Sequence, residues 1–175
     1  MVMVDLFRKL SFEIAIAHCN FQLRGVESFA DQNFVQNYAG ANEIQLFVTQ
    51  FDTEAFAKDY KLSTQVAARE LRYNWFLELL ETENFDYVLT AHHADDNLET
   101  FLINLVRGTG LEGLTGIPAQ NENVIRPLLI FSRQEIEQYA KENNIDWRED
   151  SSNASDKYLR NKIRHNLVPI LKELN

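Results

Sequence analysis

The sequence predicts a doubly wound α/β fold, a parallel sheet with helices on both faces. Three observations predict it. Short β-branched or aromatic runs alternate with longer segments of helical periodicity. The rhythm of strand, helix, strand, helix is that of βαβ units. Two of the strand ends also carry polar, reactive residues, which is where ligands sit in such sheets.

In order, Met1 to Leu10 reads as a helix with Val2, Leu6 and Leu10 on one side. Phe12 to Ala17 is a strand ending at His18, and Glu27 to Tyr38 the helix after it. Ile44 to Thr49 is a second strand. The helix Thr64 to Leu80 follows, its Val66, Leu71, Trp75 and Leu79 approximating one apolar stripe. Tyr87 to Ala91 is a third strand, ending at His92, and Asp95 to Val106 its helix. Gly108, Gly110, Gly113 and Gly116 then mark a loop-rich stretch to Pro118. Arg126-Pro127-Leu128-Leu129 reads as extended, because the residue before proline avoids the α region. Ser132-Arg133-Gln134-Glu135 fits a capping box opening a helix through Glu142. Asp150-Ser151-Ser152-Asn153 is a turn or cap cluster, and a last helix begins near Tyr158 and meets Pro169. The sum is a Rossmann-like sheet in one domain over residues 1–175, with no internal repeat.

Composition sets the outer limits. With 175 residues, 45% hydrophobic and 25% charged, the chain reads as soluble and globular. No apolar stretch reaches the roughly 20 residues of a membrane span. Asp5, Arg8 and Lys9 interrupt the N-terminus, which lacks the apolar core of a secretory signal. A single cysteine, Cys19, rules out a disulfide framework and fits a reducing, cytoplasmic setting. The formal charge of −9 runs against a whole-surface nucleic-acid interface. Lys157, Arg160, Lys162, Arg164 and Lys172, with no acid between them, form one local exception.

The chemistry should lie at His18-Cys19-Asn20 and at His92-His93-Ala94-Asp95-Asp96-Asn97-Leu98-Glu99-Thr100. Asp96 and Glu99, three apart on a helix, share a face. Acids in a first turn also favour the positive end of a helix, which explains one of them but not the pair with two adjacent histidines. A metal site is disfavoured, since the spacing is not His-Glu-x-x-His and there is no cysteine pair. General acid–base work by His92 or His93 remains open. So does recognition of a cationic substrate by Asp96 and Glu99, and the two can operate together.

These residues, with Arg107-Gly108-Thr109-Gly110-Leu111 and Gly113-Leu114, resemble the PP-loop ATPases that modify tRNA, most closely the tRNA(Ile)-lysidine synthetases. The further blocks His18-Cys19-Asn20 to Leu23-Arg24-Gly25, Ala68 to Tyr73, Arg126 to Leu129, Glu149 to Asn153 and Tyr158 to Arg164 follow in the same order. The resemblance implies an adenine nucleotide alpha-hydrolase-like fold. It implies a ligase that uses ATP, with magnesium, to adenylate the wobble cytidine of tRNA(Ile) with anticodon CAU. The ε-amine of free lysine then displaces AMP to give lysidine. His92, Asp96, Glu99 and Arg164 would be catalytic, with Asp96 and Glu99 binding lysine or helping to deprotonate its amine. Arg164 would face phosphate or developing negative charge. His18, Asn20 and His92 would meet ATP, and Arg69, Arg72, Arg107 and Arg160 would contact tRNA or phosphate. No resident metal ligand is implied.

The departures from that family carry expectations of their own. Its Ser-Gly-Gly-x-Asp-Ser loop and the strand before it would precede Met1, and its tRNA-holding domains would follow Asn175. The first strand and the loop are therefore expected to be missing, this chain to be inactive alone, and its exposed crevice edge to favour a homodimer. Phe21 stands where many relatives carry histidine. A 2-thiocytidine-type tRNA enzyme is the nearest alternative, but it uses paired cysteines. A non-catalytic truncated domain and a nucleotide sensor of the same fold are the others.

Overall fold

The computed structural model describes residues 1–151 and 159–174. It forms two compact units, Phe7–Asp86 and Met1–Leu6 with Tyr87–Asn175. Among the described residues no helix is long and apolar enough to cross a membrane.

In the unit Phe7–Asp86, strands β1 (Ala15–Asn20) and β2 (Gln45–Gln50) pair in parallel, Ala15 opposite Gln45 through Asn20 opposite Gln50. Helix α2 (Val26–Ala41) makes the crossover, as a parallel pair requires. β1 lies three residues later than the sequence predicts, for a local reason. The first helix, α1 (Val2–Lys9), ends in a Schellman turn: Phe12 N–H donates to Phe7 C=O at 3.0 Å, with Ser11 at φ 61°. The Phe7 and Phe12 rings meet at 5.2 Å, so Phe12 closes a helix instead of opening a strand. His18, Cys19 and Asn20 therefore belong to β1 itself rather than to the loop beyond it.

Helix α3 (Thr53–Asp59) was not anticipated; Asp52 caps it by accepting from Ala55 N–H at 3.0 Å. In α4 (Thr64–Thr82) Ser63 accepts from Val66 N–H, and the buried residues are Ala67 and Ala68. Leu71, Trp75 and Leu79 are half-buried, but Val66 is exposed and falls outside the apolar stripe. Small side chains bring this helix close, where the larger ones only flank the contact.

In the other unit β3 (Val88–Leu89) pairs in parallel with β5 (Val124–Ile125), and β4 (Gln120–Asn121) joins β5 antiparallel. Helix α5 (Ala94–Val106) follows β3, and α6 (Arg133–Glu142) follows β5 after a turn. That turn corrects the extended reading of Arg126 to Leu129: Leu129 N–H reaches Arg126 C=O at 3.2 Å. The Ser132–Glu135 capping box forms as predicted, with Glu135 Oε2 accepting from Ser132 N–H at 2.7 Å. Val2, Ala140 and Ile145 make one small core; Leu102, Ile163 and Val168 make another.

The C-terminal segment does not stop at Pro169. Helix α7 (Leu159–Lys162) runs through a π turn (Ile163–Leu167) into α8 (Val168–Glu173). Proline has no N–H and crowds the carbonyl four residues back; the wider turn accommodates it. Ser152, Asn153 and Tyr158, which the sequence assigns to a turn and a helix start, lie outside the described residues.

Between α5 and β4 the glycine-rich stretch folds into a 3-10 turn (Leu111–Thr115) pinned to α5 from two sides. Asn97 Oδ1 accepts from Ile117 N–H at 2.6 Å, and Asn104 Nδ2 donates to Gly113 C=O at 2.6 Å.

Candidate functional site

In the unit Tyr87–Asn175 the predicted chemistry gathers on the first two turns of α5. β3 delivers the chain to His92 and His93, and His93 is the N-cap. Its Nδ1 accepts from Asp96 N–H at 3.4 Å while Asp96 Oδ2 accepts from His93 N–H at 3.1 Å. This is the reciprocal pattern of a capping box, with histidine in the place of serine. His93 is thus a structural cap. His92 is half-buried, its Nδ1 3.0 Å from Thr90 Oγ1.

Asp96 and Glu99 do share a face, and both meet Arg164. Glu99, 1% exposed, accepts from Arg164 Nε at 2.6 Å and from Nη2 at 3.0 Å. The fork-on-carboxylate geometry is the strongest form of this pair. Arg164 Nη2 also lies 3.5 Å from Asp96 Oδ1. Glu99 holds Arg164 above the ordinary arginine range, against a smaller opposing effect of burial. Arg160 adds a second cation, Nε 3.6 Å from Glu99 Oε2, and donates to Thr100 Oγ1 at 2.7 Å. The basic run that sequence alone pointed toward phosphates is, for Arg160, Arg164 and Lys172, laid onto the acids of α5.

Asp95 is the residue that sequence reasoning passed over. Its Oδ2 accepts from Arg133 N–H at the start of α6 at 2.8 Å, and its Oδ1 holds the Lys172 ammonium from α8. Arg133 in turn spans Glu137 at 2.6 Å and Glu149 at 3.0 Å. No sequence spacing signals these partners, because they come from 38 and 77 residues away. A cavity of about 250 Å³ opens here, between Asp95, Glu99, Arg133, Arg164 and Lys172.

Burial alone would raise the Asp95 carboxyl, but the Arg133 N–H and the Lys172 ammonium hold it below the ordinary carboxylate range. A depressed folded-state pKa stabilises the fold above the unfolded pKa and is lost as pH falls through the folded one. Asp95→Asn should therefore cost about 1 kcal/mol at neutral pH. In urea unfolding followed across pH, its gap from the parent should close on acidification; a gap independent of pH would contradict this.

The other predicted residues lie elsewhere. Arg107 stands exposed at the C-cap of α5, roughly 16 Å along the helix from Asp96 at 1.5 Å per residue. In the unit Phe7–Asp86, Asn20 is buried at the end of β1. Its Nδ2 donates to Gln32 Oε1 at 2.8 Å and its Oδ1 accepts from Gln22 N–H at 3.0 Å. His18 has a buried Nε2 with no hydrogen-bond partner among the described residues; burial lowers its pKa, with Asp31 opposing. Arg69 lies 4.7 Å over the Tyr73 ring and Arg72 5.2 Å over Phe21. Phe21, the departure noted above, also stacks on Phe51 at 5.8 Å. Burial pushes the Cys19 thiol up to about 11, with Arg72 opposing, which leaves it unreactive at neutral pH.

Residues 1–171 match the PP-loop domain family. The chain belongs to that family. A tRNA(Ile)-lysidine synthase of Porphyromonas gingivalis is 47% identical over 169 residues, 96% of this chain and 37% of the relative. One of Bacteroides thetaiotaomicron is 45% identical over 94% of the chain and 38% of its own length. One of Chlorobaculum tepidum is 42% identical over 94% of the chain and 50% of its own. The PP-loop domain seen here thus spans between about a third and half of these curated relatives. Among solved structures, the U34-tRNA thiolase NcsA from Methanococcus maripaludis, with its 4Fe-4S cluster, superposes at a TM-score of 0.77. It is 15% identical and covers 98% of this chain and 62% of its own. That likeness fixes the α/β, Rossmann-like fold expected from the alternation of strands and helices.

Proposed function

We propose that this PP-loop domain is the catalytic domain of a cytoplasmic tRNA(Ile)-lysidine synthetase, a ligase that joins lysine to the wobble cytidine of tRNA(Ile) bearing a CAU anticodon. The observation that carries it is the identity of 47% over 96% of the chain to a protein of that name. The arrangement around α5 supports it.

ATP supplies the AMP that activates the cytidine C2 oxygen. On the protein side, His18 Nε2, buried without a partner among the described residues, fits the edge of a purine. Asn20 fixes the end of β1 beside it. Magnesium would come with the nucleotide's phosphates, whose charge it would help to neutralise. His92, oriented by Thr90, stands at the end of β3 as the group nearest the reacting base. Glu99 is buried behind Arg164 with both oxygens engaged, so we assign it to positioning: it aims Arg164 at the charge that develops as AMP leaves. Asp96, also beside Arg164, adds the negative field that draws a lysine amine toward the cluster. Arg107, Arg69 and Arg72 present cations for the tRNA, Arg107 and Arg69 from exposed positions. Arg160, 41% exposed beside Glu99, is the cation of that cluster best placed for a phosphate.

The thiolase reading is weaker because these residues include one cysteine, and it is half-buried in β1 with a raised pKa. The two chemistries separate cleanly with ATP labelled in its α-phosphate. A lysidine enzyme should place that label on tRNA(Ile) when lysine is withheld, then release it as AMP when lysine is added. Label that appears on the tRNA but leaves only with a sulfur donor would overturn the proposal.

A further inference from the structure

The cations that meet the acids of α5 come from one stretch of chain, at Arg160, Arg164 and Lys172. In a regular α-helix that spacing would not keep them on one side. The step from Arg164 to Lys172 overshoots two full turns by about 80°, at roughly 100° per residue. The apolar residues pose the same problem. Ile163 and Val168 are each 5% exposed and belong to one core with Leu102. A regular α-helix would set them about 140° apart. The π turn Ile163–Leu167 resolves both. Val168 N–H donates to Ile163 C=O, so this turn holds one residue more than an α turn. Arg164 and Lys172 then fall two turns apart on the side that meets α5, Arg164 on Glu99 and Asp96, Lys172 on Asp95.

Two side chains favour the wider turn. Pro169 has no N–H to continue the α ladder, and its ring would crowd the carbonyl four residues back. Placed after the π turn, it falls in the first turn of α8, where a missing donor costs nothing. Pro169 is exposed, so packing of the core does not call for it. Asn166 Nδ2 donates to Lys162 C=O at 3.0 Å, from inside the turn to the carbonyl that precedes it.

We infer that Pro169 is a positioning residue: by holding the π turn it aims Arg164 at the acids of α5, and Asn166 assists it. Its effect on turnover rests on the lysine-ligase reading; its effect on Arg164 rests on helix geometry alone. Pro169 acts through Arg164 and needs no contact with the reacting groups.

The test reads Arg164 directly, as the exchange of its Nε–H with water, followed by NMR on the 175-residue chain. In the parent that proton is protected by its 2.6 Å bond to Glu99. Pro169→Ala lets an α ladder run on, and exchange should quicken about tenfold, the loss of one charge-assisted hydrogen bond. Asn166→Ala, a milder change, should move it in the same direction. Deleting Asn166 in the Pro169→Ala background removes the extra residue, so a plain α-helix again puts Arg164 and Lys172 on one side, within about 20°. That variant should recover the slow exchange of the parent, which a merely loosened helix would not. Thermal melts establish that each variant folds. In a chimera in which this chain replaces the matching residues of the Porphyromonas gingivalis relative, Pro169→Ala should lower kcat about a hundredfold and leave KM for ATP unchanged, and the deletion should restore kcat. Unaltered exchange in Pro169→Ala, or a folded deletion variant that stays fast, would overturn the inference. The predicted exchange pattern with no lysine transfer by any chimera would remove the ligase reading and leave the hold of Pro169 on Arg164 standing.

Discussion

Arg164→Ala is expected to destabilise the unit Tyr87–Asn175 by about 3–5 kcal/mol, the range for breaking a buried ion pair from one side. In a chain of this size that lowers the melting temperature by roughly 10 °C. The cost arises on the partner left behind. Glu99 is 1% exposed, and without Arg164 its nearest cation is Arg160, at 3.6 Å and 41% exposed. The reverse change, Glu99→Ala, should cost less, because Arg164 is 21% exposed and can turn to water or to Asp96 at 3.5 Å. The order of the two variants is the diagnostic: Glu99→Ala proving as costly as Arg164→Ala would show that the burial of Glu99 is not what makes the pair matter. In the proposed reaction Arg164→Ala should also lower the turnover by about two to three orders of magnitude, the usual loss of one preorganised cation.

Gly116→Ala should be the next most damaging change, at about 2–4 kcal/mol. Gly116 adopts φ 76°, ψ −146°, a region that side chains avoid. An added Cβ would lie 2.2 Å from Asn97 Oδ1. Asn97 cannot swing aside cheaply, because that oxygen accepts from Ile117 N–H and so ties the glycine-rich loop to α5. Chemical denaturation measures the loss; Gly110→Ala, where an added Cβ meets nothing within 4 Å and the backbone is extended, is the control and should be nearly neutral. Equal losses at the two positions would refute the steric account.

The parts of the fold legible in the sequence were those written in local chemistry. The Ser132–Glu135 box, the hydrophobic run of β2 and the acids opening α5 each carry their signal within four or five residues. Helix ends were harder. α1, α2, α3 and α6 close through the same backward bond, with Ser11, Glu43, Lys61 and Asn144 at positive φ where glycine would have announced the stop. That is why the Phe12 region read as a strand. Pro169 misled in the opposite sense, since a π turn absorbs what would otherwise have ended the helix. At the site, the shared face of Asp96 and Glu99 followed from helical spacing. Their partners did not, because Arg164 reaches Glu99 across 65 residues and Lys172 reaches Asp95 across 77. Long-range pairing also lays Arg160, Arg164 and Lys172 of the basic C-terminal run against the acids of α5.

The central claim is tested most directly by transfer of labelled lysine to tRNA(Ile) with a CAU anticodon, in the presence of ATP and magnesium. The measurement uses a chimera in which this chain replaces the matching 169 residues of the Porphyromonas gingivalis relative. Lysine incorporated into the tRNA by the chimera, abolished by Arg164→Ala and dependent on the CAU anticodon, is the predicted result. ATP consumption on that tRNA with no lysine incorporated would contradict it.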